Sequence, residues 1–505
     1  MKQRFCMVKI ARSSFEAHLV RNVRSFSSLS IMLAGVLSLA MVVPVHSAAP
    51  KSKPNVLFIS TDDLNLDLGT YGHPKVKTPH LDRLASRGVK FDLAYCQFPL
   101  CNPSRVSMLT GLRPDTARVH TLETNFRSTV PDAVTLPQLF RQNGYFTARV
   151  GKIFHYGVPR EIGTAGKDDP ISWDVAINPI GRDKTEEDKL HVLTRGTGST
   201  LGFAMAWLEM DGTDEEQTDG RGVTETIKLL EQAAKSDKPF FIGMGFYRPH
   251  TPFVATEKWF EMYPKEEVQL PSSHPDDLKD VPDISLHIRP ANYGLDESGL
   301  RDCIRGYWAS VSFIDDQVGR LLQALERLKL ADNTIVVFFS DHGFLLGEHG
   351  QWQKQLLFDE ANRVPLIVYA PGAKGNGKSS PRPVELLDVY PTLKELCRLP
   401  DPPQKIEGRS LVPLLNKPTG SFKPAVFSQV TRSLGKNKRM MGYSARTERW
   451  RYTEWGPDGS EGRELYDHKS DPREFVNLAN NPAQAKVVAE MRKHLETVRV
   501  PGDQK

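Results

Sequence analysis

Two pairs of adjacent polar residues, Asp62-Asp63 and Asp341-His342, each follow a short apolar run and together offer three carboxylates and an imidazole. Neighbouring acids at a buried strand end repel one another unless a cation lies between them. Hard oxygen donors favour Ca2+ or Mg2+ over zinc. A single Asp-Asp pair fits a solvated turn or helix cap equally well, but two such clusters after buried runs weigh towards a metal. Lys152 and His155 follow a third run, Arg248 and His250 a fourth, and Lys354 lies in a polar stretch. Taken singly, Lys152, His155 and Lys354 fit ordinary surface groups, and Arg105 fits a partner for a carboxylate at a helix start. Cys101 opens the string Cys101-Asn102-Pro103-Ser104-Arg105, with Leu109-Thr110-Gly111 after it. A lone cysteine is usually a small buried apolar residue.

The elements that must position these groups are short β-branched and aromatic runs: Asn55–Ser60, Tyr145–Val150, Pro239–Phe246 and Thr334–Ser340. Continuous apolar runs of this length read as strands buried on both faces, in a mainly parallel sheet covered by helices. Between Leu300 and Leu330 apolar residues recur at helical spacing. Alternating strands and helices predict an α/β domain that binds its ligand at the carboxyl ends of the strands, where the polar clusters sit. Residues 161–222 and 271–299 lack periodicity and read as long surface loops, either walls of a substrate cleft or solvated connections.

The string C-x-P-S-R followed by L-T-G resembles the signature of the sulfatases, in which that cysteine is oxidised to formylglycine. The resemblance runs from about residue 54 to 480. It covers Asp62-Asp63, CNPSRVSMLTGLRPDT, Gly151-Lys152 with His155, Arg248–Pro252, SDHGFLLGEHGQWQK, GYSARTERWRYTEW and ELYDHKSDPREFVNLA. His342, where many sulfatases carry Asn, resembles the subgroup acting on 2-O-sulfated iduronate. The implied fold is α/β and similar to alkaline phosphatase: a large mixed β-sheet flanked by helices in residues 50–415, then a smaller C-terminal α+β subdomain in 416–505. Asp62, Asp63, Asp341 and His342 would hold one Ca2+ together with residue 101. His342 is the unusual ligand of the set, with a supporting hydrogen bond as its other role.

The chemistry implied is attack on sulfur by one oxygen of the hydrated aldehyde at position 101. Arg105, Lys152, Lys354 and the ion would neutralise charge on the sulfuryl oxygens. His250, with Lys354, would protonate the leaving alkoxide, and His155 would take the proton that releases sulfate. The resemblance thus implies an exported hydrolase of sulfate esters on a sulfated oligosaccharide or polysaccharide, 2-O-sulfated uronate at a chain end foremost. A formylglycine-generating enzyme would be its maturation partner. Another sulfated sugar, or phosphodiester or phosphonate hydrolysis, are the neighbouring readings. A non-catalytic sulfated-glycan binder follows if Cys101 stays a thiol.

Charge separates these readings from others. The 505 residues carry 66 Lys+Arg against 61 Asp+Glu, but residues 1–48 hold six of the basic groups and one acidic group. The remaining chain therefore has 60 of each, which disfavours a nucleic-acid partner. Ile31–Val43 is an apolar run of 13 residues followed by small residues at 47–49. It is too short to span a bilayer comfortably and reads as a secretory signal, with an uncut anchor as the other reading. No later apolar stretch approaches 18 residues, so no stable membrane insertion is expected. Cys6 belongs to the leader, and one disulfide is possible among Cys96, Cys101, Cys303 and Cys397.

Overall fold

The computed structural model describes residues 53–195, 200–272, 274, 277–435 and 438–499; the expected leader at 1–48 lies outside the described residues. β1 (Asn55–Thr61) is buried along its whole length and sits inside a nine-stranded sheet. The sheet also contains β2 (Val89–Tyr95), β3 (Phe146–Gly151), β4 (Val175–Ile177), β5 (Phe240–Gly245) and β6 (Thr334–Ser340). β7 (Arg363–Val364), β8 (Leu366–Tyr369) and β9 (Lys378–Glu385) complete it. The order is β7-β2-β8-β6-β1-β5-β3-β4, with β9 also paired to β2. The stretch β6-β1-β5-β3-β4 is parallel, as the buried runs predict. β8 runs antiparallel to both β6 and β2, which makes the sheet mixed.

Alternate residues of β1 face opposite layers. Leu57 and Ile59 pack with Tyr307, Val311 and Ile314 of the long helix Glu297–Arg327, which the helical spacing foretold. Val56 and Phe58 pack on the other side with Val106 and Leu109 of α1 (Cys101–Thr110). Both faces are therefore dry, and polar side chains collect where the parallel strands end.

Residues 161–222 are more ordered than their lack of periodicity suggests. Met205–Met210 is a strand paired antiparallel with His191–Thr194 and parallel with Phe253–Thr256. α2 (Thr218–Ala233) begins inside the same stretch. Tertiary pairing overrides the weak local pattern here. Residues 271–299 match the expectation better: among the described residues the helical turns before the long helix at Glu297 are short ones, Asp283–Ser285 and Ala291–Gly294.

β10 (Val426–Ser433), β11 (Arg439–Arg446), β12 (Trp450–Trp455) and β13 (Gly462–Asp467) form an antiparallel sheet. Helix Ala485–Glu496 packs Met491 and Leu495 on Tyr443, Ala445 and Tyr452 of this sheet. Val430 and Trp455 meet Phe98, Leu100 and Leu357, so the small sheet abuts the segment leading into α1. Cys96, Cys101, Cys303 and Cys397 are buried and free, and no disulfide exists among the described residues.

Candidate active site

Backbone irregularities carry the polar groups from the strand ends into one spot. Gly151, at the end of β3, has φ 70°, and a Cβ there would lie 2.1 Å from the carbonyl oxygen of Gly245. A Cβ on Gly245 would lie 2.0 Å from the carbonyl oxygen of Lys152. Two glycines thus let β3 and β5 close together and turn Lys152 inward. Asp63 is left-handed at φ 64°, held by the Tyr307 hydroxyl, which donates to the Asp63 carbonyl and accepts from Asn65 N–H, each at 2.8 Å. Lys354 stands between two left-handed glutamines, Gln353 at φ 68° and Gln355 at φ 67°. Such conformations cost about 1 kcal/mol or more for a side-chain-bearing residue and gather where function demands them.

Cys101 is the first residue of α1, so its side chain stands at the positive end of a helix. Its Sγ lies 3.5 Å from Asp62 Oδ1, 3.4 Å from His342 Nε2 and 3.4 Å from Lys354 Nζ. Lys152 Nζ donates to Asp62 Oδ2 at 2.5 Å, and Lys354 Nζ donates to both Asp63 oxygens at 2.7 and 2.9 Å. Arg105 binds Asp341 at 2.9 Å and Asp62 at 3.4 Å. His250 Nε2 is 3.7 Å from Asp63 Oδ2. His155 lines the same cleft, and its Nδ1 has no hydrogen-bond partner among the described residues. The residues nominated by sequence therefore converge. Lys152 and Lys354 are buried, not the solvated groups each would be alone.

Two of the cations are fully enclosed. Arg105 is 1% exposed, and its remaining donors go to Ser60 Oγ and to the carbonyls of Thr61, Lys152 and Ile153. It has no donor left for a substrate, so its charge reaches the site through Asp62 and Asp341. Lys152 is likewise closed off behind Asp62.

The electrostatics are uneven. Burial opposes ionisation of Asp62, yet Lys152, His250, Arg105 and Lys354 together hold its carboxyl well below the usual range. Burial pushes Asp63 up, with Asp62 and Asp341 adding to it against Lys354 and His342. Burial also pushes the Cys101 thiol far up despite Lys152 and Lys354, which leaves it neutral and a poor nucleophile. His155 and His250 are both pushed well down, first by burial and then by Lys152 or Lys354.

Three aspartates oppose three cations here, Arg105, Lys152 and Lys354, so the cluster is formally balanced before any ion enters. Donor atoms of Asp62, Cys101, Asp341 and His342 lie within 4.8 Å of one another, as do those of Asp63, Cys101 and His250. His342 Nδ1 meets the Gly343 carbonyl at 2.9 Å, which puts the proton on Nδ1 and the Nε2 lone pair towards the cluster. Oxygen-rich, buried and with one carboxylate poorly compensated, the set fits a hard divalent cation.

Above Cys101 opens a cleft of about 490 Å³, walled by Leu122, Arg160, Lys167 and Phe203. Several contributors left no sequence signal: Tyr307 behind Asp63, Lys167 in the wall, and Asp183 and Asp219 behind Arg248. An acidic residue in a first helical turn, as Asp219 is, reads only as a partner of the helix dipole.

Comparison with known proteins follows this geometry. Residues 54–398 match the family model described as "Sulfatase", and residues 347–501 match "N-sulphoglucosamine sulphohydrolase, C-terminal". The iduronate 2-sulfatase of Mus musculus is 32% identical over 542 residues, covering 91% of this chain and 97% of that protein. A solved phosphonate monoester hydrolase of Agrobacterium radiobacter superposes with TM-score 0.71 at 24% identity, covering 88% of this chain and 95% of that one. A solved 2-O GAG sulfatase superposes with TM-score 0.65 at 25% identity, covering 88% and 92%.

Proposed function

This chain belongs to the sulfatase family, and we propose that it removes a 2-O-sulfate from a uronate at the end of a sulfated glycan. Hydrolysis of sulfate esters on sulfated sugars is the activity at family level; the uronate, the formylglycine and the Ca2+ are our reading. One observation carries it: Cys101 stands at the floor of the cleft among Asp62, His342 and Lys354. A formylglycine made from Cys101 would supply a hydrated aldehyde as nucleophile, and a Ca2+ held by Asp62, Asp63, Asp341, His342 and residue 101 would supply positive charge beside it.

The chain's own groups do the rest. Lys354 Nζ, 3.4 Å from Sγ, lies where it can neutralise a sulfuryl oxygen. His250, with Nε2 facing the cleft, is the group we assign to protonate the leaving oxygen, and the negative charge of a bound sulfate ester favours its imidazolium; Asp63 keeps Lys354 charged against burial, which suits it to neutralising charge. His155, neutral and with Nδ1 free, is placed to accept a proton. Lys167 supports an acidic sugar: it is half-buried in the cleft wall with no carboxylate within ion-pair distance among the described residues. That wall, rather than Arg105 or Lys152, supplies the free cation for a substrate carboxylate.

The same reading has the chain exported after a formylglycine-generating enzyme has acted on Cys101. No helix among the described residues is long and apolar enough to cross a membrane. The test is desulfation of a panel of defined sulfated mono- and disaccharides, with mass spectrometry of the Cys101 peptide. Release of sulfate from 2-O-sulfated uronate and a peptide mass matching the aldehyde are expected. An unmodified thiol in active-host material sinks the enzyme mechanism and leaves a glycan binder. The likeness to a phosphonate monoester hydrolase fold gives a second reading, decided by the ratio of aryl sulfate to aryl phosphonate hydrolysis.

A further inference from the structure

The segment Tyr247–Thr251 leaves β5 and delivers His250 to the cleft, and its hold on the protein comes largely from elsewhere in the chain. Asp219, 2% exposed in the first turn of α2, accepts Tyr247 N–H at 2.9 Å with Oδ1 and Arg248 N–H at 3.0 Å with Oδ2. A carboxylate at this helical position ordinarily serves the free N–H groups of its own helix. Here both oxygens go to another segment. Burial pushes this carboxyl up to about 7 although Arg248 pulls it back, so the site retains a poorly solvated acid for the sake of that grip. Arg248 Nη2 donates to Asp183 Oδ2 at 2.7 Å, and Asp183 Oδ1 in turn accepts Thr218 N–H at 2.7 Å, which ties the segment a second time to the start of α2. Beyond the histidine, Thr251 Oγ1 donates to the Ala204 carbonyl at 2.6 Å. The ring is then oriented locally: His250 Nδ1 meets the Thr251 carbonyl at 2.6 Å, which leaves Nε2 facing Asp63 and the cleft.

We propose that Asp219 is a positioning residue for the proton donor, gripping the consecutive backbone N–H groups of Tyr247 and Arg248 so that His250 Nε2 reaches the leaving oxygen. The inference rests on His250 as the proton donor in the function proposed above. It extends the active site to the start of α2, in the stretch that sequence periodicity leaves unassigned.

The test exploits the leaving group. A sugar alkoxide needs a proton as it departs, whereas a nitrophenolate does not. Asp219→Asn replaces one acceptor by a donor facing an N–H. Thr251→Val removes the third tie, to the Ala204 carbonyl, without touching the buried carboxylate, and so serves if Asp219→Asn fails to fold. His250→Ala is the reference. Both positioning variants are expected to lower kcat on the sulfated sugar about tenfold or more with KM within about threefold, while 4-nitrophenyl sulfate turnover falls less than about threefold. His250→Ala should show the same pattern more strongly. Equal losses on both substrates in the positioning variants, with His250→Ala still selective, overturn the role of Asp219 alone. If His250→Ala itself shows no dependence on leaving group, the proton-donor role falls and the positioning role with it.

Discussion

Two buried ionic clusters in this molecule are built from similar groups and differ in how far their cations offset burial. At the strand ends, Asp62, Asp63, Asp341 and His342 face Arg105, Lys152 and Lys354. Beside the small sheet, Asp359, Glu474 and His468 face Arg446, Arg451 and Arg363. Both place carboxylate and imidazole donor atoms within 4.8 Å of one another. In the second cluster Arg451 grips both Glu474 oxygens, His468 Nε2 meets Glu474 at 2.7 Å, and Asp359 N–H donates to the same carboxylate at 3.0 Å. Despite burial, Arg451 and His468 hold Glu474 far below the usual range, and His468, Arg446 and Arg363 hold Asp359 down. At the strand ends Asp63 goes the other way. Residue types and spacing alone cannot tell a metal site from a structural junction. What tells them apart is whether the neighbouring cations outweigh burial at every carboxylate, as they do at Glu474 and Asp359 but not at Asp63.

The contrast can be broken in four places. Cys101→Ser should lower sulfate ester turnover by about a thousandfold or more, with little change in the thermal midpoint, because a serine left unoxidised has a single oxygen and cannot expel sulfate as a hydrated aldehyde would. Chelation of the dialysed enzyme should cost about a hundredfold in activity, restored by Ca2+. Added Ca2+ should also raise Tm by several degrees in wild type and in Glu474→Gln but not in Asp63→Asn. A Ca2+ shift that vanishes in Glu474→Gln would put the ion in the wrong cluster. Glu474→Gln should itself destabilise by about 4 kcal/mol in urea titration, since Arg451 loses its charged partner, while kcat of the folded enzyme stays unchanged.

The smallest effect concerns pH. Arg113 and Lys423 hold buried Glu385 down at about 2 against the burial that would raise it. A depressed carboxylate stabilises the fold above its unfolded value, near 4.5, and that stability is lost as pH falls towards 2. The unfolding free energy from urea titration should therefore fall by on the order of 3 kcal/mol from this group between pH 4.5 and 2, and by visibly less in Glu385→Gln.

The sequence was most legible where chemistry and burial coincide. The runs ending in Asp62, Lys152, Arg248 and Asp341 are apolar on both faces because they lie inside the sheet, and their polar termini had nowhere else to go. The helix Glu297–Arg327 was equally plain from its spacing. Met205–Met210 was not, since its alternation is short and its parallel partner, Phe253–Thr256, is distant in sequence. Arg105 was nominated by its motif, but a motif names a residue without counting its acceptors, and those became visible only in the fold. Asp219 was invisible: its function lies in two backbone N–H groups nearly thirty residues away.

The twin left-handed glutamines around Lys354 have a consequence for how the gene can drift. In a saturation library selected for activity, positions 353 and 355 should accept glycine and asparagine readily and reject valine, isoleucine and threonine, although neither glutamine carries chemistry. The lysine would show the usual intolerance of an active-site group. Its neighbours would show a tolerance sorted by backbone shape, an imprint of the bend that holds the ammonium in place.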